Sequence, residues 1–303
     1  MRPVRFVALG DSLTEGVGDP VSDGWRGWAA LLAGGLAEEP VEFTNLAVSG
    51  AQTREVLEQQ TPAGLALQPD VVSVVIGVND TLRCTFDIHA VAERLDEVYA
   101  AFTEQGATLL TACLPDPGSM LGLPGSLARP LARRQRAVNR VVHALSDRYG
   151  AVHLHAAEEA WITDRAMWSA DRLHPGEQGH RQLAVRFHAL LAEAARAAGP
   201  APSPEPEFPV PSRSASLLWL ATAGTAWVAR RCTDLLPQLL RLAADEMRHR
   251  VRGTSARLDL RAAAAVSAAL AAVSVGEQPD AAQLRGVGDE RSVPNGGPVC
   301  VPR

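Results

Sequence analysis

Through its first two-thirds the chain alternates short apolar runs with longer stretches of helical period. The runs fall at residues 4–9, 41–46, 71–76, 107–113 and 151–154. The helical stretches fall at residues 25–36, 53–59, 88–105, 127–149 and 177–198. A run such as Val71-Val72-Ser73-Val74-Val75-Ile76 is apolar on both faces, which suits a strand covered on both sides. Strands of that kind separated by helices pair in parallel. Five such units predict an α/β fold: a doubly wound, three-layer α/β/α sandwich with a five-stranded parallel sheet, over residues 1–198. Ligands in such sheets bind beyond the carboxyl ends of the strands. The residues just after each run are therefore the first place to look for chemistry.

The pattern stops at residue 199. Residues 199–213 carry Pro200, Pro202, Pro204, Pro206, Pro209 and Pro211, and read as a stiff, extended linker. Residues 214–250 read as a C-terminal helix pair. Its second member has a stripe of Leu235, Leu236, Leu239, Leu240, Ala243 and Met247, and ends in Arg248-His249-Arg250, which complements the helix dipole. The stripe suits packing against the preceding domain. With Trp219 and Trp227 two turns apart, contact with a membrane surface or another protein is the alternative. Residues 251–303 are rich in Ala, Gly and Pro and poor in large apolar side chains. A disordered tail is expected there, with a marginal Ala-rich helix at 260–273.

Composition removes several classes of function. The net charge is -5, so no broad basic field exists to hold nucleic acid. All 29 basic residues are Arg. That excludes a Schiff-base lysine and a phosphate-binding lysine of the Walker kind. Cys84, Cys113, Cys232 and Cys300 form no C-x-x-C pair, which argues against a zinc knuckle or redox motif and suits a reducing compartment. Met1-Arg2-Pro3 leads straight into the first run without an apolar leader. The apolar stretches at 215–228 and 262–275 are too short for a transmembrane segment. A cytoplasmic protein is expected.

Four short motifs lie just past strands or before a helix. Gly10-Asp11-Ser12-Leu13-Thr14-Glu15-Gly16 follows the first run. Asn45-Leu46-Ala47-Val48-Ser49-Gly50 follows the second, and Gly77-Val78-Asn79-Asp80 the third. Asp171-Arg172-Leu173-His174-Pro175 precedes the last helix of the domain. Each has a plain structural use, as a helix cap, a turn or a proline-led helix start. Together they supply a hydroxyl, an imidazole with a carboxylate three residues upstream, a glycine N–H and a carboxamide. A serine needs an adjacent base to become a nucleophile, and the base needs a partner to fix its tautomer. A tetrahedral intermediate needs preorganised donors.

This quartet, in this order, resembles the SGNH hydrolases, also called GDSL esterases and lipases, over about residues 5–191. The resemblance implies a flavodoxin-like fold and hydrolysis of small acyl esters through an acyl-enzyme, with no cofactor. It implies Ser12 as nucleophile, His174 and Asp171 as its triad partners, and an oxyanion hole of Ser12 N–H, Gly50 and Asn79. Acyl transfer and thioester cleavage use the same groups, and a silent acyl-binding module is a further alternative. Met120, Leu121 and Leu123 are apolar in a loop on the expected active edge and are candidates for the acyl slot, with cover for the end of the core as the alternative. His153 and His155 share one face of the fifth strand, but no third ligand at suitable spacing is evident, so no metal is expected. His180 and His188 are expected at surface or core positions of the last helix.

Overall fold

The computed structural model describes residues 2–208 and 223–275. Five parallel strands form the sheet: β1 (Arg5–Gly10), β2 (Glu42–Asn45), β3 (Val71–Val75), β4 (Thr108–Ala112) and β5 (Val152–Leu154). Their order is β2-β1-β3-β4-β5. This is the flavodoxin-like order, and its direction reverses between β1 and β3, where such sheets open a crevice.

Side-chain alternation divides the core into two layers. Phe6 and Ala8 of β1 face α1 (Gly27–Ala33) and α4 (Glu177–Glu193), where Trp28 stacks on Phe187 at 4.8 Å between ring centroids. Val7 and Leu9 face α2 (Ile88–Glu104) and α3 (Gly125–Arg148). Each helix buries one stripe: Val91, Leu95, Val98 and Phe102 in α2, and Val138, Val141, Val142 and Leu145 in α3. The helical stretch expected at 53–59 runs on to Ala66 through a π turn, Val56–Gln60.

Two long helices follow, α5 (Ala223–Val251) and α6 (Ser255–Val275). Trp219 and the residues before 223 in the expected helix pair lie outside the described residues. Most of the expected apolar stripe is not buried: Leu236 is 48% exposed, Leu240 56% and Met247 45%. The side of α5 that meets the domain carries the buried Glu246, paired with Arg133 of α3 at 3.1 Å.

The Ala-rich helix expected at 260–273 is present and longer, Ser255–Val275, and it is packed rather than marginal. Val266, Ala269 and Val273 recur at helical spacing and are buried in the same core layer as α2 and α3. Small side chains sufficed because they lie against an existing apolar surface, so the tail did not need a core of its own. Asp259 reaches Arg133 at 2.7 Å, and Arg148 bonds to Val273 O at 3.3 Å. Burial of the two valines alone contributes roughly 3–6 kcal/mol. Truncation after Gly253 is therefore expected to lower Tm by roughly 10 °C. A melting curve matching the full chain would show that α6 contributes nothing.

The first part of the Pro-rich segment is also docked. His188 bonds to both Gly35 O and Gly199 O at 3.1 Å, and Glu207 pairs with Arg26 and Arg181. Residues 199–208 thus run along α1 and α4.

Candidate active site

Ser12 sits directly beyond β1, at the crevice beside β3. Gly10 is required there: its φ is +151°, and a Cβ would lie 2.5 Å from Val75 O of β3. Both polar groups of its backbone are held by one side chain. Gly10 N–H donates to Gln60 Oε1 at 2.8 Å, and Gln60 Nε2 donates to Gly10 O at 2.9 Å. Gln60 is buried at the end of the π turn, and the sequence reading missed it. Asp11 does cap the short helix Ser12–Glu15, accepting from Leu13 N at 3.0 Å. That cap leaves Ser12 at the first helical position with its hydroxyl turned to the crevice.

The last motif closes on it. Ser12 Oγ lies 2.8 Å from His174 Nε2, and His174 Nδ1 lies 2.6 Å from Asp171 Oδ2. The other carboxylate oxygen, Oδ1, accepts from Ser169 Oγ at 2.7 Å, Leu173 N at 2.9 Å and His174 N at 3.0 Å. Burial alone would raise the Asp171 pKa. The bonds from His174, then Ser169, outweigh it and bring it down to about 2. An ionised Asp171 makes Nδ1 the protonated ring nitrogen and leaves the Nε2 lone pair toward Ser12. The loop approaches β1 closely because of Gly18, whose φ is +106° and whose Cβ would lie 2.0 Å from Pro175 O.

Gly50 and Asn79 come to the same edge. Among the described residues, the backbone N–H groups of Ser12 and Gly50 donate to no protein acceptor. The Asn79 amide is engaged: Nδ2 donates to Asp11 Oδ2 and to Ala51 O, both at 3.0 Å. Burial pushes Asp11 up to about 6.

Asp80 ties the third motif to Thr53, three residues past the second. It accepts from Thr53 Oγ1 at 2.7 Å and from Thr53 N at 3.1 Å. Burial, partly offset by those bonds, pushes it up to about 6 from 3.8. A carboxyl raised on folding stabilises below its unfolded pKa and loses that contribution as pH rises through its folded value. Here the loss runs from about pH 4 to pH 6 and amounts to roughly 3 kcal/mol. Asp80→Asn keeps the acceptor without the charge. Its stability relative to the parent should therefore increase between pH 4 and pH 7 in paired melts. A difference independent of pH would sink this reading.

A cleft of about 620 Å³, partly open to solvent, leads to Ser12 and His174. Its apolar wall includes Val78, Leu114, Met120, Trp161, Ile162 and Leu173. Of the three loop residues expected to line an acyl slot, only Met120 borders this cleft. The loop folds into a short helix, Pro117–Met120, capped by Asp116. Leu121 then points outward, 37% exposed, and Leu123 is half-buried away from the cleft. Trp161 and Trp168 take that place, stacked at 5.9 Å. They lie in a run of 3-10 turns with no period to read. Among the described residues, the buried Trp161 indole N–H has no protein acceptor.

Four other histidines are now placed. His180 and His188 are buried. His180 Nδ1 accepts from Trp28 N at 3.2 Å and Nε2 lies 3.1 Å from Val17 O, joining α4 to α1 and the loop after Ser12. His153 and His155 do share a face, and the fold brings Cys113 and His143 to them. The paired ends of β4 and β5 were the available signal, since residues at equal distance along parallel neighbours meet.

Fold and site together define the class: a three-layer α/β/α sandwich of flavodoxin topology with Ser12, His174 and Asp171 joined at its topological switch point. A profile of the GDSL-like Lipase/Acylhydrolase family matches residues 8–182, more than half of the chain. The chain belongs to this family and is a carboxylic ester hydrolase. It is 25% identical over 205 residues to an acetylxylan esterase from Geobacillus stearothermophilus, across 60% of this chain and 91% of that protein. Among solved structures it is similar to an acetyl xylan esterase from the same organism, with a TM-score of 0.51 and 18% identity over 62% of this chain and 94% of that one. A putative GDSL-like lipase from Parabacteroides merdae gives a TM-score of 0.52 and 17% identity, over 63% and 96% of the two chains. Among the described residues, no helix is long and apolar enough to cross a membrane.

Proposed function

We propose that the chain hydrolyses small acyl esters through an acyl-enzyme on Ser12. The single observation that carries this is the unbroken chain of bonds from Ser12 Oγ to His174 to Asp171, at 2.8 Å and 2.6 Å. His174 Nε2 takes the hydroxyl proton as Oγ attacks the ester carbonyl, while Asp171 stabilises the imidazolium. The same ring then gives the proton to the leaving alcohol. Water repeats the sequence and releases the acid. The oxyanion takes the unpaired N–H groups of Ser12 and Gly50, and one Asn79 N–H shifts to it from Asp11.

The apolar cleft receives the acyl group, and the Trp161 indole offers a donor to a polar group of the substrate. The acetylxylan esterase relative makes acetylated sugars the first substrate class to assay. Transfer to an alcohol or cleavage of a thioester would use the same atoms. A cytoplasmic setting is supported by Cys84 and Cys113, which are free.

Labelling with a fluorophosphonate probe, followed by peptide mass mapping, tests the proposal. One adduct on Ser12 is expected. An adduct on Ser49, whose hydroxyl bonds to Glu15 at the same edge, would overturn the assignment. Failure to label would favour a silent acyl-binding module.

A further inference from the structure

We propose that Cys113, His153 and His155 form a binding site for a divalent transition-metal ion of the zinc class, with His143 closing it from α3. The three side chains come from the carboxyl ends of two neighbouring strands. In the parallel pairing of β4 with β5, Thr111 stands beside His153 and Ala112 beside Leu154. One step further, the same register brings Cys113 to His155. Their ligand atoms all lie within 4.8 Å of one another. Tetrahedral zinc bonds of ordinary length need ligand separations of about 3.4–3.6 Å. Cys113 Sγ and His153 Nε2 are already at 3.1 Å. His155 is exposed and can close the remainder by side-chain rotation.

A directional chain of hydrogen bonds sets the chemistry of His153. Ser146 Oγ donates to Val142 O at 2.6 Å. Its proton is thereby committed, so Thr111 Oγ1 must donate to Ser146 Oγ at 2.7 Å. Thr111 Oγ1 is then left as the acceptor for His153 Nδ1, at 2.8 Å. The proton of His153 therefore sits on Nδ1, and the lone pair of Nε2 is aimed at the Cys113 sulfur. This is how metal-ligating histidines are held: one ring nitrogen is anchored by an outer partner while the other faces the metal. Ring centroids of His153 and His155 are 4.7 Å apart, edge to face. His143 lies 5.4 Å and 5.1 Å from them, on an exposed face of α3, where it can swing in as a fourth ligand.

One sulfur with two or three imidazoles selects zinc and its neighbours over magnesium or calcium, which require oxygen ligands. On binding, the Cys113 S–H bond breaks, a sulfur–metal bond forms, and the proton passes to solvent. The site lies on the opposite face of the sheet from the cleft. Cys113 and His155 each immediately precede a cleft residue, Leu114 and Ala156. The ion would clamp β4 to β5 behind the acyl wall and take no part in the hydrolysis.

The test uses the untagged full chain, stripped with a chelator and titrated with Co²⁺. One equivalent should bind, with visible ligand-field bands of a tetrahedral ion and a near-ultraviolet thiolate charge-transfer band. Zn²⁺ should displace it and raise Tm, and ester hydrolysis should not depend on either ion. Cys113→Ser should abolish the charge-transfer band. His155→Gln, an exposed position that leaves the fold intact, should weaken Co²⁺ binding by about a hundredfold, and His143→Ala by about tenfold. Absence of Co²⁺ binding by the parent would overturn the proposal. So would binding that Cys113→Ser and His155→Gln leave unchanged.

Discussion

Replacing Ser12 by alanine is expected to lower kcat by roughly 10⁴-fold or more and to leave Tm unchanged. The hydroxyl bonds to His174 Nε2, and the fold makes no other use of it that a methyl group would disturb. His174 keeps its position without Ser12, because Asp171 holds both its ring and its backbone N–H. Gly10 and Gln60 still fix the end of β1. What disappears is the covalent step, and the oxyanion donors alone give only a small residual rate. The measurement is hydrolysis of a nitrophenyl acetate by parent and variant, with parallel thermal melts. A loss of less than about tenfold at unchanged Tm would remove Ser12 from the mechanism.

Asp171→Asn is expected to cost roughly 10³–10⁴-fold in kcat, by a route the geometry specifies. Oδ1 accepts three donors, from Ser169 Oγ, Leu173 N and His174 N. An asparagine must therefore place its carbonyl oxygen there, since its amide nitrogen would face three donors. Its NH₂ then occupies the place of Oδ2 and donates to His174 Nδ1. That reverses the tautomer: the ring proton moves to Nε2 and points at Ser12, which loses its base. The imidazolium also loses its counter-charge. Steady-state kinetics with a crystal structure or histidine NMR of the variant would check both parts. Near-parental kcat with the reversed tautomer would show that His174 is not the base.

Much of this was legible in the sequence because it is local. Each strand declared itself by a run of β-branched residues, and each covering helix by a stripe. The close backbone approaches at Gly10 and Gly18 came only with the coordinates. The four motifs fell at strand ends, and a parallel sheet sends all its strand ends to one edge, so Ser12, Gly50 and Asn79 could be placed together without coordinates. His174 needed one assumption, that α4 packs back on the sheet, which Trp28 and Phe187 secure.

Other features depended on what a segment packs against. Residues 255–275 are poor in large side chains, so the sequence announces no more than a marginal helix at 260–273. Against α2 and α3, two valines and an alanine are enough. Met120 and Leu121 are adjacent apolar residues, yet a short capped helix turns one into the cleft and the other to solvent. Trp161 and Trp168 had no period to announce them. The histidine cluster is the plainest case. His153 and His155 show one face of one strand, and that much the spacing reveals. Cys113 lies forty residues before His153 and joins it only through the register of β4 on β5. His143 arrives only because α3 crosses that face of the sheet. Alternation within a strand follows from the backbone and can be read along the chain. Which strand lies beside it, and at what offset, is settled by burial of the whole core.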